Sequence, residues 1–283
     1  MSVLQAQHSN IYSQYYFSGI LINPAYAGSQ GALNFTGIYR NQWSGMEGAP
    51  QNISIGLHTP LKNEKNNLGL VFLNSTYGLS TENKLAATYA YRMKLGTGKL
   101  SFGMQAGIGT LRNRWSQVQT IQAEDPVFNQ AAEKQTAAEF GAGAFYNNNR
   151  LFLGLSSPTI YATRPGYDIS SGPLLLSAGY VFALNNDIKL KPSMLLKYLE
   201  NSPAEADLTA TLFLKDLIAI GAGYRTQDAL YAYFDLRVNE QFHFGYSYDY
   251  TISKLKNYSN GSHELMLRYL FYYKLNSRNP RYF

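Results

Sequence analysis

The stretch from Phe242 to Ile252 reads FHFGYSYDYTI. Phe242, Phe244, Tyr246, Tyr248, Tyr250 and Ile252 share one parity, and His243, Gly245, Ser247, Asp249 and Thr251 share the other. Successive side chains of a strand point to opposite faces, so this segment has one aromatic face and one small or polar face. Two further runs divide the same way. Between Lys84 and Leu95, Leu85, Ala87, Tyr89, Tyr91, Met93 and Leu95 oppose Lys84, Thr88, Arg92 and Lys94. Between Leu100 and Thr110, Leu100, Phe102, Met104, Ala106 and Ile108 oppose Ser101, Gly103, Gln105, Gly107 and Gly109. A sandwich core also alternates, but length favours a membrane. Runs of about 9–12 residues match a tilted bilayer-spanning strand, whereas globular strands average about 5–6.

Composition agrees with that reading. The 283 residues include 24 Tyr, 15 Phe and 24 Gly, with only 15% charged, where a soluble enzyme carries nearer a quarter. Mean hydropathy is −0.25, and no stretch approaches the roughly 18–20 apolar residues of a membrane helix. Cysteine is absent, which excludes a disulfide framework, a thiolate metal site and a cysteine nucleophile. The net charge of +6 is too diffuse for nucleic acid, because no run of four basic residues exists.

The pattern predicts an all-β fold: a transmembrane antiparallel β-barrel of about 14 strands, near 32–39, 51–58, 67–76, 84–95, 99–110, 137–146, 150–157, 174–184, 188–198, 206–214, 217–226, 229–238, 242–252 and 262–272. Every second connection is short and rich in turn formers, as in Gly96-Thr97-Gly98, Asn147-Asn148-Asn149 and Lys215-Asp216. The others are mostly longer, and the longest, 111–135, is expected to hold a short helix near Asn129–Lys134. Short periplasmic turns alternating with long outer loops place the barrel in an outer membrane with both chain ends in the periplasm. The domains expected are a signal remnant, cut after Ala6, with an aromatic segment over 1–31, the barrel over 32–273 and a periplasmic tail over 274–283. Tyr12, Tyr15, Tyr16 and Phe17 make the first segment a candidate lumen plug or periplasmic docking element.

No catalytic signature stands out. His8, His58, His243 and His263 lack metal-site spacing. His243, Ser247 and Asp249 share the polar parity, but six strand residues separate His from Asp by roughly 20 Å. The alternating glycines read as space-makers on the inner face. The inward parity also carries Lys84, Arg92, Lys94, Lys189, Lys191, Lys197, Arg225, Arg237 and Arg268 against Glu139, Asp207, Asp235, Asp249 and Glu264. These charges fit either a salt-bridged interior or an anion-preferring pore.

Asn23-Pro24-Ala25-Tyr26-Ala27-Gly28, Tyr39-Arg40-Asn41-Gln42-Trp43-Ser44-Gly45, Gly48-Ala49-Pro50-Gln51, His58-Thr59-Pro60-Leu61 and the terminal Ser277-Arg278-Asn279-Pro280-Arg281-Tyr282-Phe283 carry a resemblance. Together they resemble the PorP/SprF family of type IX secretion membrane proteins. The resemblance implies an outer-membrane barrel of Bacteroidota, working in secretion and gliding, with no enzyme activity and no cofactor. It implies as partner a secreted adhesin bearing a type B C-terminal domain, besides a periplasmic ring lipoprotein or peptidoglycan-binding protein. Candidate partner-binding residues on the outer loops are Arg40, Asn41, Gln42, Trp43, Trp115, Phe128, Tyr161, Tyr167 and Tyr258, since aromatic groups bury large area with few rotatable bonds. A passive diffusion porin and a barrel enzyme are the competing readings. The loop parity is open to direct measurement: tags at Gln122 and Thr163 are expected to label on intact cells and a tag at Asn148 is not. Labelling at Asn148 overturns the orientation.

Overall fold

The alternation becomes a closed wall. The computed structural model describes residues 12–62, 64–114, 134–163 and 172–271. Its strands are β1 (Leu33–Asn41), β2 (Gln51–Pro60), β3 (Asn66–Tyr77), β4 (Ser80–Leu95), β5 (Gly98–Asn113), β6 (Lys134–Asn147) and β7 (Leu151–Thr163). There follow β8 (Leu174–Tyr180, resuming past Val181 as Phe182–Ala183), β9 (Ile188–Tyr198), β10 (Glu205–Leu214), β11 (Ile218–Arg225), β12 (Ala229–Arg237), β13 (Phe242–Thr251) and β14 (Ser262–Phe271). Each pairs antiparallel with the next in sequence. The ring closes where β1 meets β14, from Leu33 opposite Phe271 to Asn41 opposite His263. Closure satisfies every edge inside the bilayer, where no water is available to do so.

The two faces separate as the sequence pattern requires. Met104 is 65% exposed and Ile108 58%, and Leu85, Tyr89, Tyr91 and Phe102 on neighbouring positions also point out. Ser101, Thr88, Arg92, Ser247 and Asp249 point in and are buried. Large apolar groups facing outward and polar groups facing inward invert the arrangement of a soluble protein and suit a hydrocarbon surround.

Several strands run further than hydrophobic alternation alone indicates. β3 and β4 meet across Gly78-Leu79, and β4 and β5 are each 16 residues long. Their upper parts are polar, so the apolar signal stops while backbone pairing continues. Asn74 Nδ2 donates to Asn83 Oδ1 (2.8 Å) and Ser80 Oγ to Asn113 Oδ1 (2.7 Å), joining neighbouring strands there. Gly78 turns with φ +52°, a left-handed conformation that favours glycine. At the opposite end Lys215 (φ +51°) and Asp216 (φ +52°) sit at the centre of a tight turn closed by the Leu217 N–H on the Leu214 carbonyl (2.9 Å). Of the helix expected near Asn129–Lys134, Lys134 begins β6, and the rest lies outside the described residues.

The face assignment has an energetic consequence. Replacing Tyr91 or Phe102 with Arg puts charge into hydrocarbon and is expected to cost about 2–4 kcal/mol near the midplane. Urea titration of folding into lipid vesicles measures it. The same replacement of exposed Lys215, on a turn, is expected to leave stability within about 0.5 kcal/mol.

Candidate functional site: a plugged lumen

A barrel of this strand number is too wide for its own side chains to fill, since about eight strands already mark that limit. Residues 12–31 fill the space as three short turns of 3-10 helix, Tyr15–Phe17, Gly19–Leu21 and Pro24–Tyr26. Their side chains are buried against the wall. Tyr26 meets Phe145 edge-on (5.3 Å between centroids), and Phe17 meets Tyr233 (5.9 Å). Inner-face glycines Gly69, Gly103, Gly143 and Gly245 make room for this segment, whereas Gly107 and Gly109 are crowded by their wall neighbours Ala86 and Glu139. A Cβ on Gly103 would lie 2.3 Å from the Ala25 backbone nitrogen, and one on Gly69 2.5 Å from Ile20. Burial raises the phenol pKa of Tyr26 and pushes that of Tyr12 up to about 12, so both remain neutral hydroxyls.

Charged side chains fix the plug near the long-loop end. Ser13 and Gln14 donate their backbone N–H groups to the two oxygens of the Glu264 carboxylate (3.1 and 2.9 Å). Ser13 Oγ donates to Asp249 (2.7 Å). Arg40 bridges both acids, at 2.7 Å to Asp249 and 3.2 Å to Glu264. Arg225 reaches Asp249 (3.2 Å), Asp207 (3.1 Å) and Asp228 (3.3 Å). Tyr231 donates its hydroxyl to Asp207. Every charge is thus paired and hydrogen-bonded, the condition under which ions persist away from water.

Neutral backbone contacts hold the turn end. Arg92 donates to the carbonyls of Gly28 (2.7 Å) and Ala27 (3.1 Å) and to Ser101 Oγ (2.9 Å). The Gly28 N–H donates to His58 Nδ1 (3.1 Å). Gly28 has φ +70°, and a Cβ there would strike the Asn67 side chain at 2.0 Å. Asn23 caps the last 3-10 turn through Ala25 N–H (2.9 Å) and donates to the Ala144 carbonyl (3.0 Å). In the middle, Ser156 Oγ donates to the Ile22 carbonyl (2.7 Å), and the Lys191 ammonium lies 4.9 Å from the Tyr16 ring centroid.

The remaining inward charges pair locally. Lys84 meets Glu139 at 2.5 Å, Lys197 meets Glu205 at 3.0 Å and Lys189 meets Asp216 at 2.8 Å. Arg268 and His243 share Asp235, at 3.7 and 3.0 Å. Arg237 lies half-buried at the turn end, 3.5 Å from Glu240. Lys94 departs from the expected interior: it keeps inward parity, but β4 carries it below the plug and it is exposed. His243 and Asp249 belong to separate clusters, so Ser247 gains no triad. Among the described residues no group of three or more His, Asp or Glu is placed to hold a metal ion.

A family model described as type IX secretion system membrane protein PorP/SprF matches residues 4–269. The chain belongs to the PorP/SprF family. No curated protein matches it. Among solved structures this PorP/SprF barrel is similar to the Acinetobacter baumannii outer membrane protein Omp33, with 9% identity, a TM-score of 0.51 and coverage of 86% of this chain and 100% of that one. It is also similar to the Ralstonia pickettii toluene transporter TbuX, with 8% identity, a TM-score of 0.53 and coverage of 90% and 94% respectively. These likenesses concern the fold alone, that of an outer-membrane barrel.

The candidate partner residues of this PorP/SprF chain fall into four groups. Arg40 is a correction: it is buried, because alternation along β1 turns it toward Asp249 and Glu264. Tyr161 is another, since it sits on the outer face of β7 against Phe140 (6.5 Å) rather than in a loop. Trp115, Phe128 and Tyr167 lie outside the described residues. Asn41, Gln42, Trp43 and Tyr258 remain at the loop end, with Tyr258 73% exposed. There Trp43 N–H donates to Ser262 Oγ (3.0 Å), Ser44 N–H to the Gly261 carbonyl (2.7 Å) and Gly78 N–H to the Gly48 carbonyl (2.9 Å). The loop after β1 is therefore tied to both neighbouring connections.

The ionic cluster ties the upper end of the plug to β1, β11, β13 and β14. Arg40→Met leaves two buried carboxylates short of a cation, which is expected to cost about 3–5 kcal/mol. Limited proteolysis is then expected to cut within Tyr15–Phe17 while the barrel keeps its heat-modifiable migration. Equal protection in wild type and variant counts against the cluster as the plug's upper anchor.

Proposed function

We propose that this barrel is a non-enzymatic member of the type IX secretion and gliding apparatus that helps secrete a large adhesin, or holds it at the cell surface, through the adhesin's type B C-terminal domain. The observation that carries this reading is the plug. A lumen occupied over its height by residues 12–31 and pinned at both ends suits a barrel that presents a surface better than one that passes solutes. The family description supplies the apparatus.

The adhesin binds the loop end in this proposal, where the tied loop after β1 offers a prearranged backbone and exposed Tyr258 an aromatic contact. The loop end faces outward and the turn end faces the periplasm, with the periplasmic ring lipoprotein or peptidoglycan-binding partner meeting the latter. The loop parity assigns the start of β1 and the end of β14 to the periplasmic side, whereas Ser13 and Gln14, at the head of the plug, stand at the loop end beside Asp249 and Glu264, so the expected periplasmic placement does not hold for the first described residues. The porin reading requires an open lumen instead. Planar-bilayer recording is expected to give no steady open channel for the wild-type protein, and a stable conducting state favours the porin.

A surface assay tests the partner directly. Replacing both Trp115 and Phe128 with Ala is expected to release the adhesin from the cell surface while leaving a heat-modifiable barrel. If the double variant retains its cargo at the wild-type level, the contact lies elsewhere.

A further inference from the structure

We propose that the turn end carries a docking surface for an acidic protein segment, centred on Lys94 and Lys99. Charge at this end is segregated. The hairpins joining β2 to β3, β4 to β5 and β6 to β7 bring together Lys62, Lys65, Lys94, Lys99 and Arg150, all exposed, with Glu64 as the one acid among their described residues. The hairpins on the other side of the mouth are balanced. There Lys189, Lys215 and Arg237 stand with Asp187, Asp216 and Glu240, and the pairs Lys189–Asp216 (2.8 Å) and Arg237–Glu240 (3.5 Å) are formed.

The basic half is continuous. Lys99 Nζ lies 3.7 Å from Glu64, which links two hairpins, and Lys99 is in register with Asn147 of the third. The Arg92 backbone N–H donates to the Lys65 carbonyl (2.7 Å). Lys94 and Lys99 stand directly opposite each other across β4 and β5, and like charges so placed destabilise the ladder. The next inward pair is Arg92 with Ser101, both buried. Lys94 and Lys99 therefore share the axial face, away from acyl chains, which favours the carboxylates of a protein over lipid phosphates. Arg92 also grips the plug at Ala27 and Gly28, so an occupant of the patch would rest beside the plug's lower anchor. Exposed charges of this kind attract and orient a partner of opposite sign, and salt weakens the attraction.

This inference goes beyond adhesin holding and stands on the turn end alone. The test uses the full chain in zwitterionic lipid nanodiscs, with fluorescent poly-L-glutamate as the probe. Binding is expected to fall with added salt and to weaken about fivefold in Lys94→Gln/Lys99→Gln. The control Lys215→Gln/Arg237→Gln is expected to bind as wild type does. Unchanged affinity in the first variant, or equal loss in the control, overturns the proposal. Surface retention of the adhesin by Lys94→Gln/Lys99→Gln cells reads the loop end separately, so failure of one proposal is distinguishable from failure of the other.

Discussion

Closing fourteen strands into a ring satisfies the backbone in the bilayer, and the closure creates a space that side chains alone do not fill. The rest of the structure answers that constraint. The buried ions Arg40, Asp249, Glu264 and Arg225 come from β1, β13, β14 and β11, so they meet only in the closed barrel. They also orient the backbone of Ser13 and Gln14. One cluster thus satisfies its own charges and secures the upper end of the plug. Separating its members would leave uncompensated charge in a low-dielectric interior, a penalty larger than the net value of the pairs themselves.

The plug is held unevenly along its length. The upper anchor is ionic, the lower is Arg92 on two carbonyls, and the middle rests on aromatic packing and isolated hydrogen bonds. Small residues on the wall admit it. Gly69 opens space for Ile20, Gly103 for the Ala25 backbone and Gly143 for Asn23. The family motif from Asn23 to Gly28 therefore has a mechanical role: it turns the chain at the bottom of the lumen so that β1 can start upward. Asn23 has an extended backbone before Pro24 and caps the turn that follows.

The two ends of the barrel differ in chemistry. Beneath the loop end, cations and acids are locked together around the plug. At the turn end, half of the mouth is left positive. Above, the long connection after β1 is fastened through main-chain bonds to Gly261 and Gly78. The proposed adhesin-holding role needs defined surfaces at the mouths more than it needs a passage.

The sequence by itself determined the wall. Period-two alternation is a local property, so the aromatic parity of 242–252 and the matching runs at 84–95 and 100–110 were legible without knowledge of any partner. Turn residues such as Lys215-Asp216 marked the hairpins for the same reason. Lys84, Arg92, Lys191, Lys197, Arg225 and Arg268, on the inward parity, are buried, whereas Lys94 is exposed because its strand outruns the filled lumen. What each charge meets was not legible. Arg40 and Glu264 are 224 residues apart in the chain, and only ring closure makes them neighbours. Arg40 read as a loop contact because its motif neighbours lie in a loop, while β1 carries its side chain inward. The aromatic segment at 12–31 suited a plug and a docking element equally in sequence. Tertiary structure decided between them, because whether an aromatic face is buried depends on the width of the cavity that receives it, and that width is set by the number of strands in the closed ring.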